Sequence, residues 1–288
     1  MLGTATKIRI ARGLAGTLLR LGLRPRRVVR RQGITWDLDL REGIDLSLFL
    51  FGSFQRHVAD SVRRFAGADG VVIDVGANIG AVSLPMAARL PSGHVYSFEP
   101  TAYAFAKLQR NLALNPELAR RVTALNLFAA DRSAPTSDLV AYSSWPVAGA
   151  HEADEHPVHK GVAKPATCGQ TTLDAFAAER GLREIALIKV DTDGHDFPVL
   201  AGAAGCLAEF RPVVIFEACA YLMQSPQPAF ADFEALFRTH HYTICDGEAL
   251  APLTAAEFLE RCPEGGGLDL VAVPDERLPA LRAQPARV

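Results

Sequence analysis

The sequence predicts an α/β fold: a doubly wound, mostly parallel, seven-stranded Rossmann-like sheet, preceded by an N-terminal helical and hairpin extension. Three observations carry this expectation. From Val71 onward, short β-branched runs alternate with helical patterns, which is the signature of βαβ units and a parallel sheet. The first run ends in the turn Asp74-Val75-Gly76-Ala77-Asn78-Ile79-Gly80, placed where open α/β sheets bind their ligands. The chain of 288 residues is 49% apolar and 22% charged, ordinary composition for a globular domain.

The pattern divides the chain into residues 1–66, a main domain over 67–274 and a tail over 275–288 expected to be mobile. Nine Lys or Arg residues precede the first acid, Asp37. Ile10, Leu14, Leu18 and Leu21 recur there at helical spacing, with Arg12 and Arg20 among them. Such a basic amphipathic helix either packs on the main domain with its arginines solvated or lies on an anionic membrane surface. A signal peptide fits poorly, because Arg20 interrupts the apolar stretch and no A-x-A-like site follows.

In the main domain the first strand is Val71–Val75, followed by a helix over 79–89 despite Pro85. The second strand is His94–Phe98, and a helix over 102–114 places Phe105, Leu108 and Leu112 on one face. A third strand covers 122–129. The stretch 143–170 carries three histidines and no period, and reads as a long surface loop. Regularity returns with a helix over 173–179, a fourth strand over 186–190 and a helix over 197–209. Strands over 213–216, 242–245 and 268–273, with a helix over 230–239, complete the pattern.

Gly76 allows the tight passage from strand to helix, and Gly80 allows that helix to pack close to the sheet. A dinucleotide fingerprint requires a glycine where the backbone meets the pyrophosphate; here that position is Asn78. The turn therefore favours an adenosine ligand without phosphate, S-adenosylmethionine, over NAD. Glu99, ending the second strand, can accept hydrogen bonds from both ribose hydroxyls. Asp74 either engages the cofactor's ammonium group or fixes the turn through backbone N–H groups. Ala77 and Asp131 complete the candidate cofactor-binding set. Tyr103 and Lys107 match a Y-x-x-x-K pair of dehydrogenases, but on the wrong helix, so the match reads as chance.

Taken together, Val72–Gly80 (V-I-D-V-G-A-N-I-G), S-F-E-P, T-L-D (Thr172–Asp174), L-I-K-V-D-T-D-G-H-D and R-P-V-V-I-F-E resemble the FkbM-type methyltransferases, from about Gly33 to Pro274. The resemblance implies a class I methyltransferase fold, S-adenosylmethionine as donor, and usually O-methylation of a sugar, glycan or natural-product hydroxyl. Two departures fall on the acceptor side. Thr192 and Asp193 precede Gly194 where the family commonly has a hydrophobic residue and glutamate, and Gln55 stands where glutamate is more usual.

Methyl transfer from a sulfonium is an in-line displacement in which alignment matters most, with a general base assisting an alcohol acceptor. Asp191 is the expected central residue, as hydrogen-bond partner or base, with His195 the rival base and Lys189 beside them. Lys189, Asp191 and Asp193 would share one side if the strand continued. Lys189 could also serve in an ion pair and Asp193 as a helix cap. Asp193 and Glu217 are candidate acceptor-binding residues, and with Asp191 they could hold Mg²⁺. His151, His156 and His159 read as solvated side chains, and Trp145 or Tyr221 could stack on a sugar.

A net charge of −2 gives no reason to expect nucleic acid as a partner. Five cysteines without a C-x-x-C pair point to reduced thiols in a cytoplasm, with the inner membrane face a further possibility through the basic segment. The competing functions are an NAD-dependent sugar oxidoreductase or epimerase, and a catalytically silent binding module with the same fold.

Overall fold

A computed structural model describes residues 4–136, 140–142, 163–165, 167–223, 228–262 and 266–284; Trp145, His151, His156 and His159 lie outside them. The basic segment begins with α1 (Thr4–Arg20), followed by the strands β1 (Arg26–Arg31) and β2 (Ile34–Asp39). These two strands pair antiparallel with Arg31 opposite Ile34. Gln32 and Gly33 join them with φ of 49° and 82°, the left-handed pair that matches strand twist in a two-residue hairpin. Helices α2 (Gly43–Phe51) and α3 (Arg56–Phe65) lead into the sheet.

The first half of the main domain contains β3 (Val71–Val75), α4 (Ser83–Arg89), β4 (His94–Phe98), α5 (Ala102–Ala113), α6 (Pro116–Ala119) and β5 (Val122–Leu125). Four short strands follow: β6 (Leu127–Ala129), β7 (Val140–Tyr142), β8 (Ala163–Pro165) and β9 (Gly169–Thr171). The second half contains α7 (Leu173–Arg180), β10 (Leu187–Val190), α8 (Asp196–Ala201), α9 (Ala204–Glu209) and β11 (Val213–Ala218). It ends with α10 (Phe230–Thr239), β12 (Tyr242–Asp246), α11 (Ala255–Arg261), β13 (Leu268–Pro274) and α12 (Leu278–Ala283).

Seven strands pair in the order β12-β13-β11-β10-β3-β4-β5, with β13 antiparallel to both neighbours and the remaining pairings parallel. The chain builds β3, β4 and β5 outward, then returns to lay β10 and β11 on the other side of β3. The switch in strand order falls between β3 and β10, where an open sheet leaves a crevice beyond its carboxyl ends. Alternation along the strands divides the core between two faces. Val72, Leu187, Val213 and Ile215 pack on one; Ile73, Ile188, Val214 and Phe216 pack on the other.

Residues 34–65 belong to the first of these cores. Trp36, Leu38, Val58 and Val62 are buried with Val72, Leu84 and Leu108. The free edge of β2 is satisfied by α5 and the N-cap of α6, because Asp37 N–H donates to Asn111 Oδ1 at 2.8 Å and Thr35 N–H to Asn115 Oδ1 at 2.9 Å. Lys107, half of the apparent dehydrogenase pair, forms an ion pair with the fully buried Asp45 on α2.

Several expected boundaries shift for local reasons. The third strand breaks at Asn126, whose side-chain amide donates to the carbonyls of Glu99 and Pro100 at 2.9 and 3.1 Å. Its continuation β6 pairs with β9, away from the main sheet. Part of the stretch 143–170 expected to be irregular is paired, with β8 antiparallel to β7 and β9 parallel to β6. The helix after the first strand starts only at Ser83, so Pro85 lies in its first turn, where a missing N–H costs no hydrogen bond. The helix expected over 197–209 divides into α8 and α9 around Gly202, where an added Cβ would meet Ala130 O at 2.0 Å.

The tail is not loose over its described part. In α12 Leu281 is buried, and Arg277 donates to Arg211 O and Phe65 O, each at 3.1 Å. On α1 the buried face consists of Ala15 with Ala11 and Leu18, packed against Leu40 and Leu46. Ile10, Leu14 and Leu21, expected to share an apolar stripe with Leu18, are exposed instead. Among the described residues no helix is long and apolar enough to cross a membrane.

Candidate functional site

The turn after β3 is held by main-chain bonds to the neighbouring strand. Gly76 N–H and Ala77 N–H both donate to Phe98 O, at 3.1 and 2.9 Å. Gly76 has φ 80°, and a Cβ there would meet Asp191 O at 1.9 Å, so the glycine is required twice over. Asn78 takes a left-handed φ of 48° and accepts the Ile79 N–H through its own Oδ1 at 2.9 Å. That side chain occupies the place where a pyrophosphate-binding turn would be bare. Gly80 makes room for the side chains of Leu84 and Leu108, rather than for the sheet as the sequence suggested.

Glu99 is buried, and burial pushes its carboxyl above the usual range. Three donors already converge on it: Asn78 N–H on Oε2 at 2.9 Å, and Thr101 N–H and Oγ1 on Oε1 at 2.9 and 2.5 Å. A carboxylate offers about four lone-pair sites. Glu99 therefore has room for one ribose hydroxyl, on Oε2, where the sequence reading allowed two. Asp131 is exposed on the segment that backs Gly202, and makes none of the bonds joining the other candidates.

Asp74 bonds side chains in place of the backbone N–H groups of the turn. It is fully buried, accepts Ser83 Oγ at 2.5 Å, and sits 3.2 Å from Lys189 Nζ. The pair follows from register, since Lys189 and Asp74 are directly opposed on β10 and β3. Lys189 also reaches Asp191 Oδ2 at 3.6 Å and the carbonyls of Val75 and Gly76 at 3.5 and 3.4 Å. Burial works against its charge, but the carboxylates of Asp74 and Asp191 outweigh it and hold the ammonium above the ordinary lysine range. Lys189 is thus a fixed buried cation, able to position carboxylates and unsuited to accept a proton.

Strand β10 ends at Val190, so the period-two alternation predicted for Lys189, Asp191 and Asp193 does not continue. The chain bends back, with φ 51° at Asp193 and 108° at Gly194. This turn nonetheless brings the carboxylates of Asp191 and Asp193 together with Glu217 from β11, oxygen to oxygen within 4.8 Å. Asp193 does not cap the following helix. Asp196 organises the turn instead, accepting Thr192 Oγ1 at 3.1 Å and Gly194 N–H at 3.3 Å. His195 lies at the N-cap of α8 as expected, with its ring edge-on to Phe128 at 5.2 Å.

Crowding of like charges marks this end of the sheet. Burial pushes Asp193 up to about 8, with Asp191 and Asp196 adding to the shift. Asp196 is pushed up to about 7 by burial and by Asp191, and Glu217 also rises well above its usual range through burial. An open cleft of about 350 Å³ borders the group, lined by Gly194, Asp196, Phe197, Glu217, Cys219 and Leu222 among others. Tyr221 lies half-buried next to Leu222.

Residues from the N-terminal segment complete the site. Gln55 Nε2 donates to Asp191 Oδ2 at 2.9 Å, which gives a structural meaning to the position flagged as a departure. Two residues on, His57 Nε2 contacts Asp269 Oδ2 at 2.7 Å, and Asp269 stands opposite Glu217 in the β11–β13 register. His57 and Asp269 carried no sequence signal, because they are 212 positions apart and come together only in the fold.

A methyltransferase FkbM domain matches residues 74–244, more than half of the chain. The AMB antimetabolite synthetase AmbE of Pseudomonas aeruginosa is 29% identical over 179 residues, 51% of this chain, and the alignment spans only 8% of that synthetase. The solved methyltransferase FkbM of Methylobacillus flagellatus KT is 16% identical with a TM-score of 0.45, covering 71% of this chain and 44% of that one. TYW2 of M. jannaschii in complex with AdoMet is 14% identical with a TM-score of 0.40, covering 87% and 85%. With the sheet order and the turn after β3 in place, the extent of the domain match decides the assignment: the chain belongs to the FkbM methyltransferase family.

Proposed function

We propose that the protein binds S-adenosylmethionine over the turn after β3 and transfers its methyl group to a hydroxyl of a sugar, glycan or natural product. The observation that carries this reading is the contact between Gly76 and Asp191: the donor turn and the acceptor loop are so close that a Cβ cannot fit between them. A methyl group leaving the cofactor at that turn has only a short path to the carboxylates beyond β10. The enzyme's main contribution to such a displacement is alignment.

In this reading Glu99 and the Asn78 turn hold the adenosine, while Lys189 and Gln55 fix Asp191 Oδ2 and leave its other oxygen toward the acceptor. Asp191 then receives the hydroxyl proton or orients the hydroxyl, with His195 as the competing base. Asp193 and Glu217 line the acceptor side. The N-terminal face supports a further contact, with an anionic membrane surface, because exposed Ile10, Leu14, Leu21 and Val28 are interspersed with exposed Arg9, Arg20, Arg24 and Arg30.

Calorimetric titration with S-adenosylhomocysteine and NADH in parallel tests the cofactor: heat with the former alone is expected, and heat with NADH alone defeats the proposal. Methyl transfer from labelled S-adenosylmethionine to a panel of hydroxylated acceptors tests the chemistry. Asp191→Asn is expected to lose at least about 100-fold in rate, the low end for general-base catalysis. If Asp191→Asn and His195→Ala both keep near-wild-type turnover, the acceptor site lies elsewhere. Normal cofactor binding with no turnover on any acceptor would favour a silent binding module.

A further inference from the structure

We propose that a cavity between the β1–β2 hairpin, the joint of α2 and α3, and the face of α4 binds a phosphate monoester carried on an apolar body. The cavity has a volume of about 370 Å³ and is lined by Arg31, Trp36, Phe54, Arg56, Pro85 and Arg89 among others. It shares no lining residue with the cleft beyond β10. Gly52, which ends α2 with φ 73°, forms part of the wall next to the hairpin tip; a Cβ there would meet the Gln32 side chain at 3.6 Å. The proposal does not depend on the methyl-transfer reading.

Trp36 supplies the first observation. It lines the cavity and is only 1% exposed, and its indole N–H, the one polar group of the side chain, has no acceptor among the described residues. A buried tryptophan N–H ordinarily finds a partner, because a donor shut away alone loses its water without replacement. Indole can donate and cannot accept, and the same holds for the three guanidinium groups around it. A ligand seated here therefore has to bring the acceptors.

The charge balance is the second observation. Asp60 answers two of the arginines, pairing with Arg56 Nε at 3.1 Å and with Arg89. Arg31 meets no carboxylate among the described residues. Its Nε and Nη1 donate to the carbonyls of Phe49 and Arg30 at 3.0 and 3.1 Å, and its guanidinium lies 5.1 Å from the Phe49 ring centre. Those contacts hold the fork in place and leave donors over for a ligand. Three guanidiniums against one carboxylate leave two positive charges, which a phosphate monoester matches and a carboxylate does not. A single water could accept from Trp36 but would not answer the charge. Ile34, Phe54 and Pro85 add carbon surface for an apolar body, and Phe51, next to Gly52, is 72% exposed. The phosphate thus belongs either to a soluble ester or to a lipid headgroup.

The test titrates the full chain, labelled with ¹⁵N, with phenyl phosphate, read by calorimetry and by the indole N–H resonance that disappears in Trp36→Phe. One ligand per chain with a Kd below about 1 mM is expected, with that resonance moving along the same curve. Arg31→Gln, alone and with Arg56→Gln, should weaken binding by at least about tenfold, while Arg180→Gln on α7, across the sheet, should leave it unchanged. A parallel arm compares vesicles containing phosphatidic acid with vesicles of equal charge containing phosphatidylserine. A preference for phosphatidic acid that Arg31→Gln abolishes assigns the lipid; phenyl phosphate binding without that preference assigns the soluble ester. The proposal is overturned by no saturable binding in either arm, by heat with no movement of the Trp36 resonance, or by binding unaltered in both arginine variants. The wild-type titration with its resonance decides the matter if a variant fails to fold.

Discussion

Lys189 and Asp74 illustrate how a buried charge is kept in place. Both are almost wholly enclosed, and each is the other's main counter-charge across adjacent parallel strands. Ser83 supplies the further hydrogen bond that a lone carboxylate would lack, and Ser97 donates in turn to Ser83 at 2.8 Å. Removing Asp74 leaves the buried Lys189 with only its longer contact to Asp191 at 3.6 Å, and breaking a buried pair in this way costs about 3–5 kcal/mol, more than a typical substitution. Asp74→Asn is therefore expected to lower the melting temperature by roughly 6–20 °C for a domain of this size, measured by calorimetry. Replacing both residues together, Asp74→Asn with Lys189→Met, should recover much of that loss. If the single variant melts with the wild type, the pair is not what holds this crevice. The sequence made both residues conspicuous, but as cofactor ligand and catalytic group. Their register, and hence their pairing, depended on which strands became neighbours.

At the scale of elements, helix boundaries follow backbone close approach more than periodicity. The apolar pattern over 197–209 runs without interruption through a break at Gly202, where Ala130 O occupies the space a Cβ would need and Gly202 O accepts Asp174 N–H at 3.1 Å. The second half then requires its own cap. Asp174 supplies it, accepting Gly205 N–H at 2.8 Å and Cys206 N–H at 2.7 Å. Thr172 caps α7 by accepting Ala175 N–H at 3.0 Å, so the T-L-D stretch joins two helix starts. Asp174→Ala should cost about 1 kcal/mol, a fall of roughly 2–4 °C in melting temperature. Hydrogen exchange should show faster exchange at Gly205 and Cys206 than in the wild type, and unchanged protection there would refute the cap. The sequence exposed this motif as a family feature without showing what it caps, since its partners lie 31 and 32 residues away.

For the whole molecule, residues 34–65 give β3 its covering layer and bring Gln55 to Asp191, so the segment before the family match is part of the site. Ahead of it, α1 and β1 present cationic and apolar side chains together. The chain is expected to sediment with vesicles containing phosphatidylserine and not with neutral ones, with release as salt rises. Ile10→Ser, Leu14→Ser and Leu21→Ser combined should abolish that binding while leaving S-adenosylhomocysteine binding intact; equal sedimentation of wild type and variant would rule the face out. The sequence alone determined the alternating α/β order, the turn after β3, the absence of a pyrophosphate glycine and the family, because these reside in local period and in residues close along the chain. The tertiary structure alone decided that Asp74 is buried with Lys189, that Glu99 has room for one more donor, and that Asp191, Asp193 and Glu217 converge with Gln55. Those relations join strands and helices distant in sequence, and strand order and close backbone approach, which no local pattern encodes, set which side chains meet.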